Sequence, residues 1–301
     1  MSTLAYVFPG QGSQYIGMGK DIAAQNADAR AMFEKADAIV GAPLSKICFE
    51  GPDEVLKQTK NTQPAIFLHS VVLSTLMPPE TVAMAAGHSL GEYSALVFAG
   101  ALTFEDGLKI VRLRGELMQR AGEENPGTMA AVVGMEGAAL EAVCAEASAA
   151  GIVQCANFNS PGQTVISGSV AGVQKAMELA KAGGAKLVKQ LQVSGAFHSP
   201  LMNSARQGLA EALKHVEIRD ARIPVYTNVT AKPVQQAGEI RRMLEEQVTS
   251  AVRWDDSVRN MAAAGAVSFV EIGPGKVLQG LIRRIAPAAE VRGVDTFADI
   301  K

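Results

Sequence analysis

The chain has almost no charge imbalance, since 28 Lys and Arg stand against 30 Asp and Glu and leave a formal net charge of -2 over 301 residues. That balance excludes a global pull toward nucleic acid or anionic lipid, so a charged partner has to be met by a local patch. Cysteine is scarce as well. Cys48, Cys144 and Cys155 are odd in number, lie in apolar surroundings and show no C-x-x-C spacing, so they read as buried thiols in a reducing compartment. No uninterrupted apolar segment reaches membrane-spanning length, because Val82 to Ala101 is broken by His88, Ser89 and Glu92. Met1 to Gly10 carries neither a basic n-region nor a long apolar stretch, so no signal peptide is expected and the expected location is cytoplasmic. Internal repeats and low-complexity segments are also missing. What remains, at 48% hydrophobic and 19% charged residues, is an ordinary globular composition able to bury a large core as one α/β domain or as one domain carrying an insert.

Short apolar runs at Leu4–Phe8, Ala83–Ala86, Pro224–Asn228 and Ser268–Ile272 alternate with longer amphipathic ones, the pattern of a parallel sheet between helices. Ligands in such folds sit beyond the carboxyl ends of strands, which makes Pro9–Gln14, Gly87–Gly91 and Gly273–Gly275 the candidate site loops. Between Gly127 and Leu191 the texture changes. Strand-like 128–134, helical 138–149, strand-like 152–158 and 164–167, helical 170–181 and strand-like 186–191 give a β-α-β-β-α-β series, the ferredoxin-like arrangement. The expected architecture is therefore α/β: a large discontinuous catalytic domain over 1–125 and 195–301, and a ferredoxin-like subdomain over 126–194, with hinges at Gly122–Gly127 and Val193–Gly195 and a cleft between the parts.

The pentapeptide Gly87-His88-Ser89-Leu90-Gly91 fits G-x-S-x-G between an apolar run and a helix-like run. In a strand, elbow and helix setting that pattern lifts a serine hydroxyl onto a strained turn where a base can reach it, whereas outside such a setting it is a plain glycine-rich turn. Only four histidines are available as base. His69 lies among Leu68, Val72 and Leu73 as a packed helix residue, His215 sits by Lys214 and Glu217 at a polar helix end, and His88 adjoins the serine on an elbow where neighbouring side chains diverge, so that it lines the site. His198 remains, in Gly195-Ala-Phe-His-Ser-Pro200 after the last strand of the insert; the competing reading is a structural loop histidine. No acid between Ser89 and His198 has a strand-end setting, which favours a dyad over a triad. Arg114 lies about 60° from the centre of the helical stripe Phe104, Leu108, Val111, Gly115 and Met118, at 100° per residue. Its guanidinium is either carried inward toward an anionic substrate group or snorkels to the surface. Gly10-Gln11-Gly12-Ser13-Gln14 fits neither dinucleotide nor P-loop spacing and reads as a source of main-chain oxyanion donors, paired with the residue after the serine, Leu90.

Phe8-Pro-Gly-Gln-Gly-Ser-Gln14, Asn61-Thr-Gln-Pro-Ala65, Gly87-His-Ser-Leu-Gly-Glu-Tyr93, the Arg114 helix, Asn157-x-Asn159-Ser-Pro-Gly162, Gly195-Ala-Phe-His-Ser-Pro200 and Glu271-Ile-Gly-Pro-Gly275 occur together in that order. Over essentially its whole length the chain resembles the malonyl-CoA:acyl carrier protein transacylases, stand-alone acyltransferases of bacterial type II fatty acid synthesis. The resemblance implies an α/β-hydrolase-like large domain, Ser89 as nucleophile, His198 as general base, Arg114 as clamp for the malonyl carboxylate, and main-chain N–H groups of Gln11 and Leu90 as oxyanion hole. It further implies that Gln247 holds the histidine through a carbonyl, that Phe197 marks the malonyl-selective form of its loop, and that Met118 lines the acyl pocket. Malonyl-CoA and a holo acyl carrier protein are the implied partners, with no cofactor beyond the CoA of the substrate, no metal, no nucleic acid, no membrane, and a monomeric enzyme. A cationic rim for an acidic carrier is expected at Lys186, Lys189, Lys276, Arg283 and Arg284. The rival activities are a discrete acyltransferase loading a polyketide synthase carrier and a serine thioesterase or hydrolase.

Overall fold

A computed structural model describes residues 3–300; the outermost residues of the expected large domain, 1–2 and 301, lie outside it. Six strands form one sheet in the order β10-β9-β1-β2-β7-β8, namely β1 (Thr3–Phe8), β2 (Val82–Gly87), β7 (Val225–Tyr226), β8 (Pro233–Val234), β9 (Ala266–Ile272) and β10 (Glu290–Val294). All pairings are parallel except β7 with β8 at one edge. β1 is central, and its apolar run has a simple cause. Ala5 and Val7 point into one apolar layer and Tyr6 and Phe8 into the other; because both faces are covered, the run Ala5–Phe8 is buried throughout.

The second sheet is antiparallel, in the order β4-β5-β3-β6, from β3 (Gly127–Val133), β4 (Val153–Ser160), β5 (Gln163–Ser169) and β6 (Leu187–Gln190). The helices Gly137–Ala147 and Val170–Ala182 pack on it around a separate core that includes Leu140, Ile166 and Val173. Strand order and connection are those of the ferredoxin-like series. The two chain crossings into and out of this unit lie side by side, for a methyl placed on Gly122 would come 2.3 Å from the Ser194 carbonyl oxygen.

The sheet is short where the sequence suggests length. Pro224–Asn228 is strand only at Val225–Tyr226, and Thr227 and Asn228 turn away to bring polar groups under the site. Gly273–Gly275 does not itself line the cavity. It hands the chain to the helix Val277–Ile285, whose Val277, Leu278 and Leu281 do. That helix starts on a buried acid: both oxygens of Glu271, 0% exposed, accept main-chain N–H groups, from Leu278 at 3.0 Å and Gln279 at 3.1 Å. Removing those acceptors strands two buried donors at about 1–3 kcal/mol each. Glu271→Ala is therefore expected to lower stability by about 2–6 kcal/mol in urea unfolding, and Glu271→Gln, which keeps one acceptor, by less. Among the described residues no helix is long and apolar enough to cross a membrane.

Candidate active site

β2 runs directly into the elbow, and Ser89 sits there with φ 49°, a left-handed conformation unusual for a residue with a side chain. The elbow fits because its flanking residues have no side chains. A methyl on Gly87 would lie 1.9 Å from the Gly91 carbonyl carbon, and one on Gly91 would lie 2.0 Å from the Phe8 carbonyl oxygen. His198 has φ 57°, so both partners of the pair are held in left-handed backbone. Side chains do the holding. Asn228 Oδ1 accepts the Ser89 N–H at 2.7 Å while its Nδ2 donates to the Gly87 carbonyl at 2.6 Å, bridging the elbow. Gln154 Nε2 donates to the His198 carbonyl at 2.8 Å and to that of Thr249 at 3.2 Å.

Ser89 Oγ lies 2.8 Å from His198 Nε2. Nδ1 of the same ring faces two carbonyl oxygens, Gln247 at 2.9 Å and Ser250 at 3.1 Å. Carbonyls only accept, so Nδ1 carries the proton and Nε2 presents its lone pair to the serine O–H. Among the described residues no carboxylate is hydrogen-bonded to the ring, and the orienting group is main chain. Burial first, and then the Arg114 charge, push the imidazole down to about 3, against the smaller opposite pull of the Gln247 carbonyl. His198 is thus a neutral base throughout the physiological range.

Arg114 is 1% exposed, so its side chain is carried inward and does not snorkel. Its guanidinium packs 5.6 Å from the Tyr93 ring centroid. It donates from NH1 to Gln63 Oε1 at 2.6 Å, and from NH2 to Gln247 Oε1 at 3.0 Å and Ser89 Oγ at 3.2 Å. Among the described residues its Nε has no partner and the guanidinium makes no hydrogen bond to a carboxylate. A buried cation in that state is an anion site.

These groups open on one cavity of about 260 Å³ between the two sheets, lined on one side by Gln11, His88, Ser89, Leu90, Arg114 and Met118 and on the other by residues such as Met129, Asn159, Val165 and Phe197. The Gln11 loop is pressed against the elbow, since a methyl on Gly10 would come 2.4 Å from the His88 carbonyl oxygen. His88 does not reach the nucleophile; its Nε2 pairs with Asn159 Oδ1 at 2.9 Å. Gln247 stands behind the cavity, 0% exposed, and uses main chain and side chain at once. His69 is buried in its helix with Nε2 2.9 Å from the Asp295 carbonyl oxygen, and His215 is exposed. The five cations of the expected rim are all exposed. Sequence reasoning gave no role to Gln63, Glu92, Gln154 or Asn228, although Gln63 and Glu92 lie inside quoted motifs. Among the described residues no three His, Cys, Asp or Glu side chains are grouped to hold a metal ion.

A serine elbow, a histidine oriented by carbonyls and a buried cation on one cavity, carried by an α/β sheet with an antiparallel insert, define the class of an acyltransferase. The chain belongs to the acyl transferase domain family, whose pattern matches residues 5–294, within its malonyl CoA-acyl carrier protein transacylase branch. It is 46% identical over 292 residues to the malonyl CoA-acyl carrier protein transacylase of Bacillus subtilis, covering 95% of this chain and 91% of that one. The crystal structure of an acyl carrier protein S-malonyltransferase from Vibrio cholerae superposes with a TM-score of 0.96 at 42% identity, covering 99% of this chain and 98% of that one. A malonyl-transacylase solved in complex with a type II polyketide synthase acyl carrier protein also matches, with a TM-score of 0.96, 39% identity and 99% and 98% coverage.

Proposed function

We propose that the protein transfers a malonyl group from malonyl-CoA to the phosphopantetheine thiol of an acyl carrier protein, through a malonyl ester on Ser89. The observation that carries this reading is the Arg114 guanidinium, buried without a carboxylate partner and 3.2 Å from the nucleophile. An anchor that close suits a short acyl chain ending in a carboxylate, which the planar fork can grip through two parallel hydrogen bonds. His198 takes the Ser89 proton as Oγ attacks the thioester, and main-chain donors at Gln11 and Leu90 receive the oxyanion, each worth about 3 kcal/mol in comparable sites. The proton then passes to the departing CoA sulfur. The carrier thiol, deprotonated by the same histidine, reverses the sequence. A thiolate leaves more readily than an amine, which fits a base oriented by carbonyls alone. Met118 and Phe197 give the acyl group an apolar wall. Because thioester is exchanged for thioester, the reaction calls on no group beyond the CoA of the substrate.

The reading takes the enzyme as a monomer and as cytoplasmic, the latter in keeping with three free buried thiols. Lys186, Lys189, Lys276, Arg283 and Arg284 are the surface it assigns to an acidic carrier. A polyketide carrier is the second reading, favoured by the matching polyketide complex. Intact mass after brief mixing with equal malonyl-, methylmalonyl- and acetyl-CoA tests the assignment: a single malonyl adduct, discharged by holo carrier protein, is expected. In Arg114→Ala the malonyl rate is expected to fall about 10²–10³-fold, the cost of leaving a buried carboxylate unpaired, with the acetyl rate falling far less. Equal malonyl and acetyl labelling of the unaltered enzyme would overturn the substrate and leave the serine chemistry standing.

A further inference from the structure

Glu92 is 1% exposed and lies directly beneath the elbow, on the helix that begins at Gly91. Its Oε2 accepts the Asn228 main-chain N–H at 2.8 Å and Gln247 Nε2 at 2.9 Å. The second bond fixes which way the Gln247 amide faces: with its NH₂ turned to Glu92 and to the Ser89 carbonyl at 3.0 Å, its oxygen must face Arg114. One amide therefore separates the buried carboxylate from the buried guanidinium. Substrate-free, the interior beneath the elbow pairs one cation, Arg114, with one carboxyl, Glu92, across that amide. An acyl carboxylate paired with Arg114 adds a second anion to the same dry volume, and an uncompensated buried charge is costly enough that the group takes a proton instead.

We propose, building on the malonyl reading, that Glu92 is the exchangeable counter-charge of the site: ionised while Arg114 lacks an anion, and protonated from solvent when the acyl carboxylate binds, so that malonylation of Ser89 is coupled to proton uptake. The proton goes to Oε1. Oε2 already receives two N–H groups, and one of them, a main-chain N–H, cannot turn round. Burial holds this carboxyl at about 7, against the downward pull of the Asn228 and Gln247 bonds and of the Arg114 charge, and pairing Arg114 with a second anion cancels the last of these. Arg114 aside, the other buried titratable groups of the strand β1 and the helix Thr59–Leu76, both packed against this helix, are engaged elsewhere: Tyr6 on β1 donates to Glu80, and His69 pairs with Asp295. Tyr226 on β7 and Tyr93 beside Glu92 are both held above the ordinary tyrosine range by burial, so they stay neutral. His88 and His198, on the cavity side, are both pushed down by burial and stay neutral as well.

The test is stopped-flow mixing of enzyme with malonyl-CoA in weak buffer containing a pH indicator, with the ester counted by intact mass. Ester formation exchanges O–H for S–H and by itself consumes no proton below the thiol range. Uptake of a substantial fraction of a proton per ester is expected around pH 7 and above, vanishing toward about pH 5, where the carboxyl is already protonated. Glu92→Gln, which keeps an acceptor for both N–H groups, is expected to form the ester without uptake. Full malonylation of the unaltered enzyme without uptake, or equal uptake in the variant, would sink the proposal. Should the variant not fold, the pH profile of the unaltered enzyme decides alone, and a flat profile overturns it. Absence of the malonyl ester in the mass spectrum removes the functional reading, and this proposal with it.

Discussion

Ser89→Ala is expected to show no acyl adduct with any CoA thioester and to lose transfer activity by on the order of 10⁶-fold, the scale reached when a serine nucleophile is deleted from a site of this kind. His198→Ala should lose nearly as much. The two side chains act as one unit across 2.8 Å, so the double variant should be scarcely worse than either single one. The measurement is radiolabel from malonyl-CoA into protein and then into carrier, with thermal melting as a fold control. A Ser89→Ala protein that still transfers malonyl would mean direct transfer between thiols and would overturn the covalent route.

Gly91→Ala is expected to have the largest effect on folding. The added methyl would meet the Phe8 carbonyl oxygen at 2.0 Å, with the carbonyl carbon at 2.7 Å, and both are main chain of the central strand. Neither can rotate aside. Either the helix leaves the strand, which breaks the elbow, or β1 moves within a sheet where it is bonded on both sides. A loss of about 4 kcal/mol or more, read as a fall in urea midpoint or as insoluble protein, is the scale for such overpacking. Gly238→Ala is the contrast, because a methyl there meets nothing within 4 Å in the helix Ala237–Gln247, and a gain of up to about 1 kcal/mol is expected. Equal behaviour of the two variants would show that the elbow does not depend on the missing side chain.

The parts of this molecule legible in the sequence are those set by local pattern. The insert reads to within about two residues at each boundary, because short apolar runs separated by short turns mark its strands without reference to the rest of the chain. Helical period puts Arg114 near the buried stripe but leaves inward and snorkelling positions both open, and the glycines around Ser89 mark an elbow only together with the strand and helix that flank them. The supporting polar groups do not read this way. Asn228 and Gln247 are 139 and 158 positions from Ser89 and meet it only because the sheet brings β7 beside β2. Nothing in the local pattern of Tyr-Thr-Asn or Glu-Gln-Val announces an elbow brace or an amide bridge. The edge strands β8 and β10 are likewise hard to read, being two residues long or mixed in polarity. The missing acid was legible as an absence. What fills its place, a pair of main-chain carbonyls, carries no residue signature at all.

The close passage of Gly122 against Ser194 has a consequence for ancestry and engineering. A chain that leaves and re-enters a domain through one narrow seam can exchange what lies beyond that seam as one piece. The antiparallel unit is in this sense a cassette, with its own apolar core and a single doorway. An exchange of the whole unit changes the far wall of the cavity, and so the acyl groups admitted, and keeps the elbow, the histidine and the arginine in place only where the new unit restores the Gln154 bond to the His198 carbonyl and the Asn159 bond to His88.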